Sequence, residues 1–177
     1  MLGSYSVYAV NLASMMIMAR LFTPEVFGTV AAIAVFFAFF QLMAEAGLGP
    51  AIINMDFLSA ADRDGLFGLT LTVGVILAGI FWTMAPLFQA FYQLPRVEEI
   101  VPYVALSILF ASASILPSAL LLRDQAFFRI ASAGLIAELV SLAATIALIY
   151  FTDPLHALAA KSLSSALAGF LSRWYFS

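Results

Sequence analysis

Long apolar runs alternate with short polar clusters along the whole chain. Cutting the sequence at the clusters leaves six segments, each close to the roughly 20 residues that an α-helix needs to cross a bilayer. The segments cover residues 4–21, 26–54, 66–92, 98–122, 130–151 and 155–176. Barrel strands alternate apolar and polar residues over about 10 positions, and these runs are far longer and unbroken. The pattern therefore predicts an all-α, polytopic membrane helix bundle of about six transmembrane helices.

Proline and cap residues indicate where the helices begin and bend. Pro24 suits the first turn of the second helix, and Ser59 with Asp62 can cap the third. A proline inside a helix removes one backbone hydrogen bond and crowds the preceding turn, so it predicts a kink. The interior prolines are Pro50, Pro86 and Pro117. Such kinks occur in ordinary membrane spans and also in helices that line transport cavities, and both interpretations remain open.

Composition excludes several classes of protein. Of the 177 residues, 64% are hydrophobic and 10% are charged, and the mean hydropathy is +1.09. Soluble domains carry roughly 25% charged residues, so this chain is not one of them. The net charge of −3 supplies no basic surface for nucleic acid. With no cysteine and a single histidine, His156, the sequence predicts no catalytic, cofactor or metal site, and the protein is not expected to be an enzyme.

Arginines in the short loops predict the orientation in the membrane, because cytoplasmic loops are enriched in Lys and Arg. The loops after the second, fourth and sixth segments carry Arg63, Arg123, Arg129 and Arg173. The other loops carry Arg20 and Arg96. We therefore expect a cytoplasmic N-terminus. The first 18 residues contain neither Lys nor Arg, so they do not form a signal peptide, and we expect the natural start of the protein to precede Met1.

A few polar side chains interrupt the apolar segments. A charge at membrane depth costs on the order of 3 kcal/mol, so such groups normally face protein or a water-filled interior. These residues are Asn11, Arg20, Gln41, Glu45, Glu138 and Lys161. Glu138 and Lys161 lie well inside the last two segments, where they form either an ion pair or a cavity wall. Arg20 and Glu45 lie near segment ends, where anchoring at the interface is the alternative to a binding role.

Two further patterns concern packing. Small residues four apart let membrane helices approach closely. The pairs are Ala9 with Ala13, Ser107 with Ala111, and Ser164 with Ala168. The second segment is apolar on every side, and its phenylalanines are predicted to face lipid. They are Phe36, Phe37, Phe39 and Phe40.

Three stretches of the sequence resemble those of a known group of membrane proteins. Residues 19–28 read ARLFTPEVFG and resemble the ARLLTPEDFG signature of bacterial polysaccharide exporters. Residues 45–53, EAGLGPAII, are similar to their DLGLGAALIQ stretch, and residues 117–129, PSALLLRDQAFFR, resemble their PxALLxRxxxFR connector. The chain thus resembles the oligosaccharide (lipopolysaccharide, Wzx-type) flippases of the multidrug/oligosaccharidyl-lipid/polysaccharide exporter superfamily. Glu45 replaces their usual Asp, and Pro50 and Asn54 also depart from the pattern.

The resemblance implies two pseudo-symmetric six-helix lobes, with residues 1–177 as the N-terminal lobe of a longer protein and the C-terminal lobe as its partner. It implies transport of undecaprenyl-diphosphate-linked oligosaccharide across the bacterial inner membrane, by alternating access, for polysaccharide and lipopolysaccharide biosynthesis. On this reading Arg20 contacts phosphate, while Glu45, Glu138 and Lys161 line or close the cavity. The alternatives are a multidrug-type exporter of the same superfamily and a non-transporting scaffold of a polysaccharide assembly complex.

Overall fold

The computed structural model describes residues 2–45, 48–55, 59–93 and 96–177, with side chains from residue 7 onward. Within these ranges the chain forms nine α-helices. They are α1 (Leu2–Leu21), α2 (Pro24–Glu45), α3 (Leu48–Ile53), α4 (Ala60–Thr83), α5 (Ala85–Tyr92), α6 (Val97–Ala113), α7 (Ile115–Arg123), α8 (Phe127–Leu148) and α9 (Pro154–Phe176). The helical boundaries follow the six predicted segments, but three of those segments are each divided into two helices.

The divisions fall beside the prolines that predicted kinks. Met84 separates α4 from α5, two residues before Pro86, and Ser114 separates α6 from α7, three residues before Pro117. A proline cannot donate to the carbonyl one turn earlier and its ring crowds that turn, which accounts for both breaks. Pro50 lies in α3, and the expected bend before it falls on residues 46 and 47, outside the described residues. Pro102, by contrast, lies inside an unbroken α6.

The predicted helix starts are confirmed at two positions. Pro24 is the first residue of α2. Ser59 is the N-cap of α4: the Asp62 backbone N–H donates to Ser59 Oγ at 3.1 Å, and the Ser59 backbone N–H donates to Asp62 Oδ2 at 2.9 Å. This reciprocal capping box satisfies two backbone donors at the helix start.

Four stretches of the described chain are long and apolar enough to cross a membrane: Pro24–Ile53, Ala60–Thr83, Val97–Arg123 and Phe127–Leu148. The prediction of six spans is therefore wrong in number. The described apolar part of α1 is the shorter helix Val7–Leu21. The 23 residues of α9 are interrupted by polar side chains, among them Lys161 and several serines, which lower its hydropathy. The protein is a multi-pass membrane protein whose environment is the lipid bilayer.

The stretch Val97–Arg123 runs through the centre of the bundle. In its most apolar part 67% of the residues are buried, against 17% in Pro24–Ile53 and 28% in Ala60–Thr83. Helices α2, α4 and α9 pack around α6, α8 packs on α9, and α1 packs on α8. This order leaves α1, α2 and α4 with broad outward faces.

Those outward faces are apolar, as contact with lipid requires. Leu12, Met15, Val35 and Leu42 are each more than 60% exposed. Such a surface would be strongly unfavourable in water, where large contiguous apolar patches are rare on soluble proteins.

The phenylalanines of α2 do not all face lipid, as the sequence had suggested. Phe40 is buried with its ring 5.2 Å from that of Phe81, and the ring of Phe36 lies 4.8 Å from that of Phe88. Phe39 is 57% exposed. Helical periodicity explains the difference, because positions 36 and 40 share the inner face whereas position 39 lies on another.

Two contacts show which loops share an end of the bundle. Arg96 Nη2 lies 3.2 Å from Asp153 Oδ1, which joins the loops before α6 and before α9. The exit of α1 is on the same side, since Phe22 packs in one cluster with Ala157. We call this the Arg96 end. At the opposite end, Arg129 Nη1 donates to the backbone carbonyl of Phe176 at 3.1 Å, and we call this the Arg129 end.

Candidate functional site

Two adjoining cavities lie between α2, the α6–α7 break, α8 and α9. The first cavity has a volume of about 390 Å³ and extends toward the Arg129 end, where Glu45, Pro50 and Leu122 line it. The second has a volume of about 360 Å³ and reaches α1 and α8. Both are partly open to the outside of the bundle. They share the wall residues Gln41, Ala111, Ser114 and Arg173.

The break between α6 and α7 brings serines to this shared wall. The Ser114 hydroxyl donates to the Phe110 carbonyl at 2.8 Å, and the Ser118 hydroxyl donates to the Ser114 carbonyl at 2.6 Å. Ser162 and Ser165 of α9 add hydroxyls to the second cavity. Because the described donors here bond to backbone carbonyls of their own helices, the hydroxyl oxygens remain able to accept hydrogen bonds from a ligand.

Most of the polar groups singled out in the sequence converge on these cavities. Glu45 lines the first cavity, Asn11 and Glu138 line the second, and Gln41 lines both. Three different segments of the sequence thus contribute these polar groups to one place inside an apolar bundle.

Glu138 and Lys161 form an ion pair between α8 and α9. Lys161 Nζ donates to Glu138 Oε1 at 2.8 Å, and the side chains are 22% (Lys161) and 13% (Glu138) exposed. The pair joins the two helices that pack most extensively on each other in the bundle. The two interpretations left open by the sequence therefore apply together, because Glu138 is paired and also lines the second cavity.

Glu45 is the last residue of α2 and carries the negative charge of the first cavity. Its Oε1 lies 3.5 Å from Gln41 Nε2, a long contact one helical turn away. Its carboxylate also attracts the guanidinium of Arg173, which lies on the same cavity wall.

Arg20 is separated from the other predicted site residues. It lies exposed in the last turn of α1, at the Arg96 end, whereas Glu45 lies toward the Arg129 end. It is not among the residues that line the two cavities. The structure thus brings Glu45, Glu138 and Lys161 to one region and leaves Arg20 outside it.

Sequence reasoning missed Arg173, which had been counted among the loop charges. It lies within α9, is half-buried and lines both cavities. A signal for it exists in the sequence, because polar or small residues recur on one face of α9 at helical spacing. They are Ser162, Ser165, Gly169 and Arg173.

A second polar cluster ties the Arg96 end together, away from the cavities. Arg96 donates from Nε and Nη2 to the carboxylate of Glu99, at 2.9 to 3.2 Å, and His156 Nε2 lies 3.2 Å from Glu99 Oε2. Hydrogen bonds to Glu99 and then Asp153 raise the pKa of Arg96 above its ordinary value. The pKa of Asp153 is lowered, first by the backbone N–H of Leu155 and then by Arg96. These contacts place His156 in a cluster that joins the loops at the Arg96 end, and His156 does not line either cavity.

The match to a known family fits this architecture. Residues 17–177 match the sequence model of a family described as polysaccharide biosynthesis protein. Since the match spans most of the chain, the chain belongs to that family. No curated protein and no solved structure matches it.

Proposed function

We propose that this protein is a flippase that moves lipid-linked oligosaccharide across the bacterial inner membrane during polysaccharide and lipopolysaccharide biosynthesis. The observation that carries the proposal is the pair of adjoining cavities, lined by polar groups from α1, α2, the α6–α7 break, α7, α8 and α9, inside an apolar bundle of this family. Members of the family are typically transporters rather than enzymes.

The cavities suit the head group of a lipid-linked sugar. Serine hydroxyls and amides exchange hydrogen bonds with a polar head group, while the exposed apolar faces of α1 and α2 leave the lipid tail in the bilayer. In the proposed mechanism the cavities form half of a pathway that is completed by a second lobe. The lobes open alternately to the two sides of the membrane.

The predicted site residues receive separate roles in this mechanism. Glu45, at the Arg129 end that we propose is cytoplasmic, and the Glu138–Lys161 pair, deeper in the bundle, line or close the pathway. Arg20, at the Arg96 end, is proposed to meet the phosphate groups on the exit side of the pathway.

Reconstitution tests the proposal directly. The purified full-length protein, with both lobes, is placed in liposomes that contain fluorescent undecaprenyl-diphosphate-linked oligosaccharide, and an impermeant quencher is added outside. We expect label from the inner leaflet to become quenchable only when the protein is present. A fluorescent phospholipid of the same label provides the control for leakage and for unspecific scrambling.

The same experiment separates the alternatives. A multidrug-type exporter would transport a cationic dye and leave the lipid-linked oligosaccharide in place. A scaffold would transport neither, although deletion of its gene would still abolish surface glycan in cells. Either outcome would overturn the flippase proposal.

A further inference from the structure

The side chain of Arg173 packs over Gly169, one turn earlier in α9. A Cβ built on Gly169 would lie 3.3 Å from Arg173 Nη1 and 3.9 Å from Cζ. The guanidinium therefore folds back over the α9 backbone, one turn before its own Cα, rather than extending past the helix end. Side chains on helices point in this direction, toward the N-terminal turn.

In that position the N–H groups of the Arg173 guanidinium can donate hydrogen bonds to a ligand. In the described ranges, the side chain of Arg173 makes no hydrogen bond and no ion pair within 4.0 Å. A guanidinium carries five N–H donors, and a half-buried charge without partners is unfavourable. Because Arg173 lines both cavities, these donors are available to a ligand in either of them.

The two carboxylates near Arg173 differ in their partners. Glu138, across the second cavity, is neutralised by Lys161 at 2.8 Å. Glu45, across the first cavity, attracts Arg173 but does not contact it. Together Glu45, Glu138, Lys161 and Arg173 carry two negative and two positive charges. The positive charge that remains without a direct counter-ion is that of Arg173, and its attracting carboxylate is Glu45.

We propose that Arg173 binds a phosphate or diphosphate group in these cavities and that Glu45 competes with this group for the guanidinium. A guanidinium binds phosphate oxygens through two parallel hydrogen bonds, which an ammonium cannot do. An entering anion replaces the attraction of Glu45 by direct contact, so the charge on Glu45 sets how strongly the anion is held. The choice of a diphosphate rests on the proposed function, whereas the anion site itself rests on the geometry.

The test measures binding of three probes to the purified protein in phosphatidylcholine nanodiscs: inorganic pyrophosphate, farnesyl diphosphate and farnesol. Calorimetry gives the affinity, and fluorescence of the adjacent Trp174, which is 52% exposed, gives a second readout. Arg173→Gln is expected to weaken diphosphate binding at least about tenfold, and Arg173→Lys to weaken it less. Glu45→Gln is expected to strengthen it, and farnesol binding should not depend on either residue.

Arg63→Gln is the matched control, since Arg63 is an exposed arginine in the first turn of α4 and outside the cavities. It should bind both diphosphates as the unmodified protein does. Binding of both diphosphates indicates a site for the anion alone, and binding of farnesyl diphosphate only indicates a lipid head group. The proposal is overturned if neither diphosphate binds, if Arg173→Gln binds as tightly as the unmodified protein, or if Glu45→Gln weakens binding.

The two variants are expected to change diphosphate affinity in opposite directions. A folding defect cannot explain both results, because misfolding would not strengthen binding in Glu45→Gln. The outcome is also separable from that of the transport assay. Diphosphate binding that depends on Arg173 without any flipping of lipid-linked oligosaccharide would remove the proposed function and leave the anion site. Flipping by a protein whose diphosphate binding does not depend on Arg173 would support the proposed function and overturn the anion site.

Discussion

At the scale of single residues, the Glu138–Lys161 pair shows how a membrane bundle accommodates charge. Each group alone would be unfavourable in a low-dielectric interior, and their 2.8 Å contact makes the two charges compatible with helix packing. The contact joins residues 23 positions apart and so depends on α8 and α9 being docked. Its strength can therefore be measured through the stability of the protein.

Glu138→Gln and Lys161→Gln should each lower the free energy of unfolding by about 2 kcal/mol, because each leaves one charge without its partner. This is below the values for fully buried pairs, since both side chains keep some exposure. The double variant should be more stable than the sum of the single losses predicts. A double-mutant cycle by denaturant unfolding in detergent measures the difference, with Arg63→Gln as the control for loss of a single charge.

Strictly additive losses in that cycle would contradict the pairing as a source of stability. The contribution of Glu138 would then be confined to the wall of the second cavity.

The role of Arg20 is tested by exchanging it for lysine. A guanidinium binds a diphosphate through two hydrogen bonds and an ammonium cannot, so Arg20→Lys should reduce glycan export severalfold while protein abundance stays normal. Surface glycan and membrane protein level are measured in the same cells, with Arg63→Lys as the matched control. Full export by Arg20→Lys would indicate that Arg20 only anchors the end of α1 at the head groups, which lysine does equally well.

The sequence indicated which polar residues lie inside the apolar segments, but not the direction in which their side chains point. Glu45 and Glu138 were recognisable because a carboxylate in an apolar run must face something polar. Arg173 was missed because its position near the end of the last segment is equally compatible with a loop. Its guanidinium lies over Gly169, beside α8, where Ala137 Cβ lies 3.7 Å from the position of a Gly169 Cβ, and this tertiary arrangement is not visible in the sequence.

At the scale of the elements, sequence reasoning located the helices and most of their ends. Hydropathy marks a segment, capping residues mark its start, and proline marks its break, as Pro86 and Pro117 do. The contacts between helices were less predictable. Ser107 is buried and its hydroxyl lies 3.4 Å from that of Ser162, as a close-approach motif requires, whereas Ala9 and Ala13 are exposed.

The tightest approach that glycine permits in the described bundle is between α4 and α6, at Gly74. A Cβ on Gly74 would lie 2.7 Å from the Cβ of Ser112, which no real pair of side chains tolerates. Gly74→Ala should therefore push the helices apart and lower stability by about 1–3 kcal/mol. Gly79→Ala in the same helix meets nothing within 4 Å and should cause no loss. Thermal unfolding of both variants in detergent measures the contrast, and equal stability of the two would show that α4 does not pack on α6 in this way.

At the scale of the whole molecule, the difference between six expected spans and four observed candidates comes from α1 and α9. A lipid-facing helix and a helix that lines a polar cavity can contain similar numbers of hydrophobic residues. In α9, Ser162, Ser165 and Arg173 face the second cavity and Lys161 pairs with Glu138, while α6 and α8 pack against the helix. Hydropathy alone cannot distinguish such a helix from a lipid-facing span, because the distinction depends on which neighbours cover it.

The placement of Arg173 also changes the charge balance between the two ends. With Arg173 directed into the cavities, the Arg129 end keeps three loop or helix-end arginines: Arg63, Arg123 and Arg129. The Arg96 end has Arg20 and Arg96. The positive-inside rule still favours a cytoplasmic Arg129 end, by three charges against two.

The orientation is tested by cysteine labelling in intact cells, which needs no background substitutions within residues 1–177 because they contain no cysteine. Ala61→Cys, exposed at the start of α4, should be protected from an impermeant thiol reagent if the Arg129 end is cytoplasmic. Phe151→Cys, 86% exposed in the loop before α9, should react from outside, because the antiparallel helices place it at the Arg96 end. Labelling of both after the membrane is permeabilised controls for thiol reactivity. External labelling of Ala61→Cys with protection of Phe151→Cys would invert the orientation and with it the proposed direction of transport, so that Arg20 would lie at the entrance of the pathway and the Glu45 cavity at its exit.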